Sequence, residues 1–250
     1  MSDDNTARPA SSRTSERPLY RARIERIFDH ASDTRSLFLR MTEGALPAYL
    51  PGMFISVSIT LPQETRVRPY TIVSSLEDRE PFEICFNRVA GGVGVAWLFE
   101  RRVGDVLNFT GPFGAFIFDR APVAETVFIA EGTAIAAIRP MIRRALAYRS
   151  GRTIRLLYAA ECAEHLLYRD EIAGWTDAHP EFHFETFIAD AGRDPLYARL
   201  AGEVERRWVS ADNERARQFY ICGIGKGVLG LRDLLRGASY ERRAVRYEMW

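Results

Sequence analysis

Hydrophobic and polar positions alternate in short bursts from Tyr20 to Phe118, and the bursts read as strands: Tyr20-Ile27, Ser36-Met41, Met53-Leu61, Arg68-Val73, Phe82-Val89 and Val106-Thr110. Turn signals such as Leu50-Pro51-Gly52 and Gly111-Pro112-Phe113-Gly114 separate them. Six short strands at this spacing predict a closed or nearly closed antiparallel barrel. One helical start interrupts them, where Val95-Ala96-Trp97-Leu98-Phe99 follows Gly91-Gly92.

After Asp119 the pattern changes to buried apolar runs alternating with helical segments. Thr126-Ala130 precedes a helix from about Ile135 to Tyr148, and Thr153-Ala159 precedes one near Glu164-Ile172. His183-Ile188 precedes one near Pro195-Val209, and Phe219-Cys222 precedes one near Val228-Arg236. Strand, helix, strand, helix predicts a doubly wound parallel sheet covered on both faces. The expected organisation is a two-domain chain: a tail over residues 1–17 that reads as disordered, an antiparallel β-barrel over 18–119, and an α/β domain over 120–250.

Composition narrows the function classes. The 250 residues are 47% hydrophobic and 27% charged with a net charge of +1, which argues against wholesale binding to nucleic acid or anionic lipid. Every basic residue except Lys226 is arginine, so local basic patches remain open. The three cysteines, Cys85, Cys162 and Cys222, are too few and too scattered for a disulfide framework or a four-cysteine metal centre. No run of 18 apolar residues exists, and the first 18 residues lack a signal-peptide core. These features predict a cytoplasmic protein with no membrane insertion and no metal. His179 and His183 have metal-like spacing, but Pro180 lies between them and no cysteine is close. Serine-hydrolase, phosphate-loop and zinc-protease motifs do not occur.

The candidate chemistry sits in two places. Arg68-Pro69-Tyr70-Thr71 offers a forked cation suited to phosphate, a flat ring and a hydroxyl. Gly91-Gly92-Val93-Gly94 follows, and glycines before a helix start let an anion approach the backbone amides closely. Together they could hold a ring system joined to a pyrophosphate, as in flavin adenine dinucleotide. In the second half, Ala130-Glu131-Gly132-Thr133 runs from strand through a tight turn into a helix, the placement a pyrophosphate needs. Cys222-Gly223 ends a buried strand at the carboxyl edge of the sheet, where ligands bind in open α/β folds.

These motifs, together with Gly111-Pro112-Phe113-Gly114 and the final Glu248-Met249-Trp250, resemble in their order and spacing the ferredoxin-NADP reductase superfamily, over about Tyr20 to Trp250. The resemblance implies an FAD-binding barrel followed by an NAD(P)-binding α/β domain. It implies FAD contacts from Arg68, Pro69, Tyr70, Thr71, Asn87, Arg88, Gly91, Gly92, Val93, Gly94, Val95 and Trp250. It implies nucleotide contacts from Gly132, Thr133, Cys222 and Gly223, with Thr71, Cys222, Glu248 and Trp250 as the catalytic group. Thr71 would hydrogen-bond the flavin, Cys222 would lie beside the nicotinamide, Glu248 would relay protons and Trp250 would stack where the nicotinamide must later sit.

Three departures from the family pattern bear on that expectation. Val95 stands where the family usually has Ser or Thr, which removes one donor to the pyrophosphate. Glu131, Ala134 and Ala137 replace the family's glycines and proline, and Glu131 places a carboxylate near an intended anion. Glu161 follows the second strand of the α/β half, which favours NADH, with Arg152, Arg155 or Arg193 as nearby counter-charges. The Cys222-Gly223 turn and the tail tip the balance to NADPH. The expected activity is electron transfer between NAD(P)H and a separate ferredoxin, flavodoxin or oxygenase component. The alternatives are a non-catalytic flavin-binding subunit with a spoiled nucleotide site and an NADH-dependent diaphorase or oxygenase reductase.

Overall fold

Along β1 (Tyr20–Ala31) Ala22 and Ile24 are buried while their neighbours face water, and the same period recurs in β3 (Phe54–Thr60), where Ile55, Val57 and Ile59 point inward. The computed structural model describes residues 18–77, 80–189, 196–211 and 213–249. The expected tail and Trp250 lie outside the described residues. With β2 (Thr34–Met41), β4 (Thr65–Thr71), β5 (Phe82–Asn87) and β6 (Val106–Phe113), these strands form one antiparallel sheet in the order β4-β3-β6-β1-β2-β5. An isolated bridge between Ile72 and Ile84 joins the end of β4 to β5 and brings the sheet's two edges together. Its interior is filled by Leu37, Leu39, Phe82, Ile84 and Phe109. Helix α1 (Val93–Phe99) starts at Gly92 with no side-chain cap, so its first amides have no side-chain acceptor.

The second sheet is parallel, in the order β11-β10-β7-β8-β9, from β7 (Thr126–Glu131), β8 (Ile154–Ala160), β9 (Phe182–Ile188), β10 (Gln218–Gly223) and β11 (Val245–Met249). Helices α2 (Ile135–Ala147) and α3 (Arg169–Ala178) lie on one side, and α4 (Leu196–Val204) and α5 (Lys226–Gly237) on the other. The strand period assigns each side chain to a face. Phe128, Ala130, Tyr158, Tyr220 and Cys222 pack with α2, with Cys85 of the first sheet and with Val73, Phe116 and Phe118 just beyond its strands. Val127, Ile129, Leu157, Phe219 and Ile221 pack toward α4 and α5.

The two-part architecture read from the sequence is present, with three local differences. Strand β11 was not anticipated, because Arg246 and Glu248 interrupt its apolar run and it lies at the sheet edge. Helix α3 begins at Arg169 rather than near Glu164, since a short 3-10 turn over Ala163–His165 and a left-handed Tyr168 (φ 56°) occupy the intervening residues. The long helix expected to reach Val209 is α4 up to Val204, followed by a π-helical turn at Glu205–Val209.

A polar and aromatic seam joins the sheets. Glu83, 4% exposed, accepts from Ser36 Oγ at 2.5 Å and from Tyr168 Oη at 2.6 Å, and Arg139 lies 3.8 Å away. Arg139 also donates to the Val73 carbonyl at 3.2 Å and is held by both oxygens of Glu171. Arg246 donates to the Ile117 carbonyl at 3.0 Å, and Tyr220 packs against Phe116 and Phe118.

Candidate functional site

Thr71 ends β4 at 2% exposure, and its hydroxyl is one of two buried side-chain polar atoms among the described residues without a hydrogen-bond partner. A buried hydroxyl left unpaired costs roughly 1–3 kcal/mol, and such an exception calls for a functional explanation. A ligand that hydrogen-bonds at Thr71 provides one. Tyr70 beside it is 7% exposed, edge-on to Phe86 with ring centroids 5.7 Å apart. Burial pushes its phenol up to about 12 against the pull of Arg68.

Arg68 is exposed, and its stem crosses the start of α1: a Cβ built on Gly94 would lie 3.5 Å from Arg68 Cγ and 2.9 Å from Ile59 Cδ1. The forked cation and the uncapped helix start are therefore neighbours although 26 residues separate them in sequence. Gly91 needs its left-handed φ of 73°, which a side chain would strain. Gly91, Gly92, Val93 and Val95 line a concavity of about 390 Å³ together with Arg88, whose guanidinium stacks 3.9 Å over Phe99. Val95 adds no hydroxyl there. The orphan at Thr71, the cation at Arg68 and the uncapped amides fit the ring, the pyrophosphate charge and the acceptor oxygens of FAD.

The nucleotide half of the site is built where β7 and β10 end. Gly132, with φ 53° and open space where a Cβ would be, starts a short turn into α2, and no side chain caps either helix start. Thr133 Oγ1 donates to Asn87 Oδ1 at 3.3 Å, which links a residue expected at the flavin to one expected at the nucleotide. Asn87, Gly132 and Thr133 share a cleft of about 110 Å³ with Asp33, Glu131, Glu161 and His165.

Cys222, 1% exposed, lies in register with Ala130 on one side and Glu248 on the other. Register partners project to the same face, so Cys222 and Glu248 both face the seam with the first sheet. Burial pushes Glu248 up to about 7, so it exchanges protons near neutral pH. Val73, two residues past Thr71, belongs to the same buried cluster as Cys222. Trp250 lies outside the described residues.

Glu131 has a local role that its sequence position did not reveal. Its Oε2 accepts from Tyr197 Oη at 2.6 Å and from the Ile224 amide at 3.0 Å. Tyr197 lies across Gly223 and Gly227 so closely that a Cβ at either would overlap it. Burial first, then Glu131, raises its phenol above the ordinary range. Arg155 is the second residue of β8, at the opposite end from Glu161, and its Nε is 2.7 Å from Glu125, so it offers no counter-charge at the cleft; Arg193 lies outside the described residues. Sequence reasoning missed Tyr197, Glu83 and Tyr168, whose partners lie 66 to 85 positions away.

Residues 22–118 match the oxidoreductase FAD-binding domain family and residues 128–228 the oxidoreductase NAD-binding domain family. The chain belongs to the ferredoxin-NADP reductase superfamily of flavoproteins: it is an FAD-dependent oxidoreductase that exchanges electrons with NAD(P)H. Over 225 residues it is 26% identical to ferredoxin--NADP reductase B of Sorangium cellulosum, covering 87% of this chain and 91% of that one. It is 22% identical to the glycine betaine monooxygenase reductase subunit of Pseudomonas aeruginosa, covering 95% of this chain and 66% of the relative. The solved structure of the Amycolatopsis cytochrome P450 reductase GcoB superposes with a TM-score of 0.77 at 25% identity, covering 94% of this chain and 71% of that one. Among the described residues no helix is long and apolar enough to cross a membrane.

Proposed function

We propose that this chain is a reductase that takes electrons from NADH and delivers them singly to a separate acceptor, a ferredoxin, a flavodoxin or an oxygenase component. FAD supplies the conversion, because it accepts two electrons as a hydride and releases them one at a time. Arg68 and the amides at the start of α1 bind the pyrophosphate. The Thr71 hydroxyl orients the ring through the hydrogen bond it lacks within the protein. Gly132 and Thr133 receive the donor nucleotide, Cys222 supplies a small apolar wall, and Glu248 holds or gives up a proton near pH 7.

The unpaired hydroxyl of Thr71 carries this reading. The preference for NADH rests on the cleft's charge: Asp33, Glu131 and Glu161 line it, and three carboxylates repel a 2'-phosphate. The tail motif and the relative named a ferredoxin--NADP reductase point the other way, toward NADPH. The acceptor is carried over from the named relatives, and the 66% and 71% coverage of the oxygenase-associated proteins leaves room there for a further module. Steady-state turnover with a one-electron acceptor tests the proposal. A higher kcat/KM with NADH than with NADPH is expected; turnover with neither would leave the non-catalytic subunit as the reading.

A further inference from the structure

We propose that Cys162, His165 and Asp33 form a reactive-thiol site whose co-substrate is a small hydroperoxide. Cys162 lies just beyond the end of β8, and its Sγ is 3.5 Å from Nδ1 of His165. On the other side of the ring, Nε2 of His165 is 3.2 Å from Oδ1 of Asp33. An ionised carboxylate only accepts, so it selects the tautomer with the proton on Nε2 and leaves the Nδ1 lone pair facing the thiol. A sulfur nucleophile with a base in reach, and a third group orienting that base, is the arrangement that activates cysteine.

Each partner is anchored. Thr34 Oγ1 donates to Asp33 Oδ1 at 2.8 Å, and the Arg88 amide donates to the Asp33 carbonyl at 2.7 Å. The His165 carbonyl accepts from Tyr158 Oη at 3.0 Å, and its amide donates to the Cys162 carbonyl at 3.2 Å. The other two cysteines are buried, Cys85 at 7% and Cys222 at 1% exposure, whereas Cys162 is half-buried. Among the described residues no group of His, Cys, Asp and Glu is placed to hold a metal ion, which removes the competing use of this trio. Asp33 and His165 line a cleft of about 110 Å³, on the scale of a small molecule, and Cys162, half-buried, sits outside its lining beside His165.

The chemistry balances. The sulfur attacks one peroxide oxygen as the O–O bond breaks, sulfur is oxidised to sulfenic acid, and the peroxide is reduced to water or an alcohol. The thiol proton passes through Nδ1 of His165 to the departing oxygen. Oxidation disrupts the Cys162–His165 contact, and His165 lines the cleft shared with Gly132 and Thr133, so nucleotide access slows. That consequence rests on the nucleotide reading above, whereas the thiol reaction does not.

The FAD-loaded full chain is treated with a slight excess of hydrogen peroxide, trapped with dimedone and mapped by peptide mass spectrometry. The adduct is expected on Cys162 and not on Cys85 or Cys222. An ordinary cysteine is only a few per cent thiolate at neutral pH, so the proton acceptor can speed the reaction by up to roughly 30-fold. His165→Ala is therefore expected to slow adduct formation about tenfold, and Asp33→Asn, which keeps the shape and loses the charge, to slow it by less. Asp33→Asn also decides the matter if His165→Ala fails to fold. Equal rates in the wild type and both variants, or first labelling at Cys85 or Cys222, would overturn the proposal. The rate of reduction by NADH, measured before and after oxidation, is expected to fall and to recover with dithiothreitol. An unchanged rate beside a Cys162 adduct would overturn the cleft consequence and leave the thiol site standing.

Discussion

Thr71 and Val95 bear on the same cofactor in opposite directions, one as a hydroxyl without a partner and the other as a methyl pair where a hydroxyl would have helped. On the proposed reading the chain would keep a hydroxyl for the reacting ring and give up one donor to the pyrophosphate, a loss of roughly 1.5–3 kcal/mol in binding. Thr71→Val removes the buried orphan, so the flavin-free protein is expected to gain about 1 kcal/mol in urea unfolding. The FAD-loaded variant is expected to be reduced by NADH about tenfold more slowly in stopped flow, the equivalent of one hydrogen bond in the activation barrier. A variant that loses stability without FAD would show that Thr71 is paired inside the protein. The proposed roles of Arg68, Thr71 and the glycines could be drawn from sequence because their chemistry is local, a cation, a hydroxyl and amides within one segment each. Glu131 was read only in part, because its charge was visible and its partner was not: Tyr197 comes from another element, 66 positions away.

At the level of elements, the Glu131 carboxylate fastens the end of β7 to the Ile224 amide after β10 and to α4 through Tyr197. The sequence-level conflict between a carboxylate and an anion site is thereby reduced without being removed, since Glu131 still lines the cleft. Glu131→Gln keeps an acceptor for both donors and removes the charge. The Kd for NADH, measured by titration, is expected to fall about fivefold, equivalent to roughly 1 kcal/mol; weaker binding would mean that the carboxylate itself holds the nucleotide. Most strands could be read from their period, and α2 and α5 from their apolar faces. Strand β11 could not, because an edge strand buries only part of itself and tolerates Arg246 and Glu248. Yet β11 is what sets Glu248 beside Cys222, so the least legible element positions one of the proposed catalytic residues.

Across the whole molecule, the proposed site requires the two sheets to be held in one relation, and the seam that holds them was invisible in the sequence. Glu83 and Tyr168 stand 85 positions apart, and nothing local marks either. Tyr168→Phe leaves a buried carboxylate one donor short, and a loss of roughly 1.5–3 kcal/mol is expected in thermal or urea unfolding; an unchanged midpoint would show that the seam contributes nothing there. Two titrating groups at this level act in opposite senses. Glu248, raised to about 7, contributes stability that is present below the ordinary glutamate value of 4.5 and is lost as pH rises through about 7. His30, lowered to about 4 by burial and by Arg139, contributes stability that is present above 6.5 and is lost as pH falls toward about 4. The stability of Glu248→Gln relative to the wild type is therefore expected to rise between about pH 4.5 and 7 and then level off; a flat difference would place Glu248 in water. The central claim is that Thr71, Cys222 and Glu248 surround one site where a flavin meets a pyridine nucleotide. Anaerobic mixing of the FAD-loaded protein with NADH, followed by the flavin absorbance, tests it most directly. The account predicts rapid, stoichiometric bleaching of the flavin band, and a protein that takes up no FAD, or whose bound FAD neither NADH nor NADPH bleaches, would contradict it.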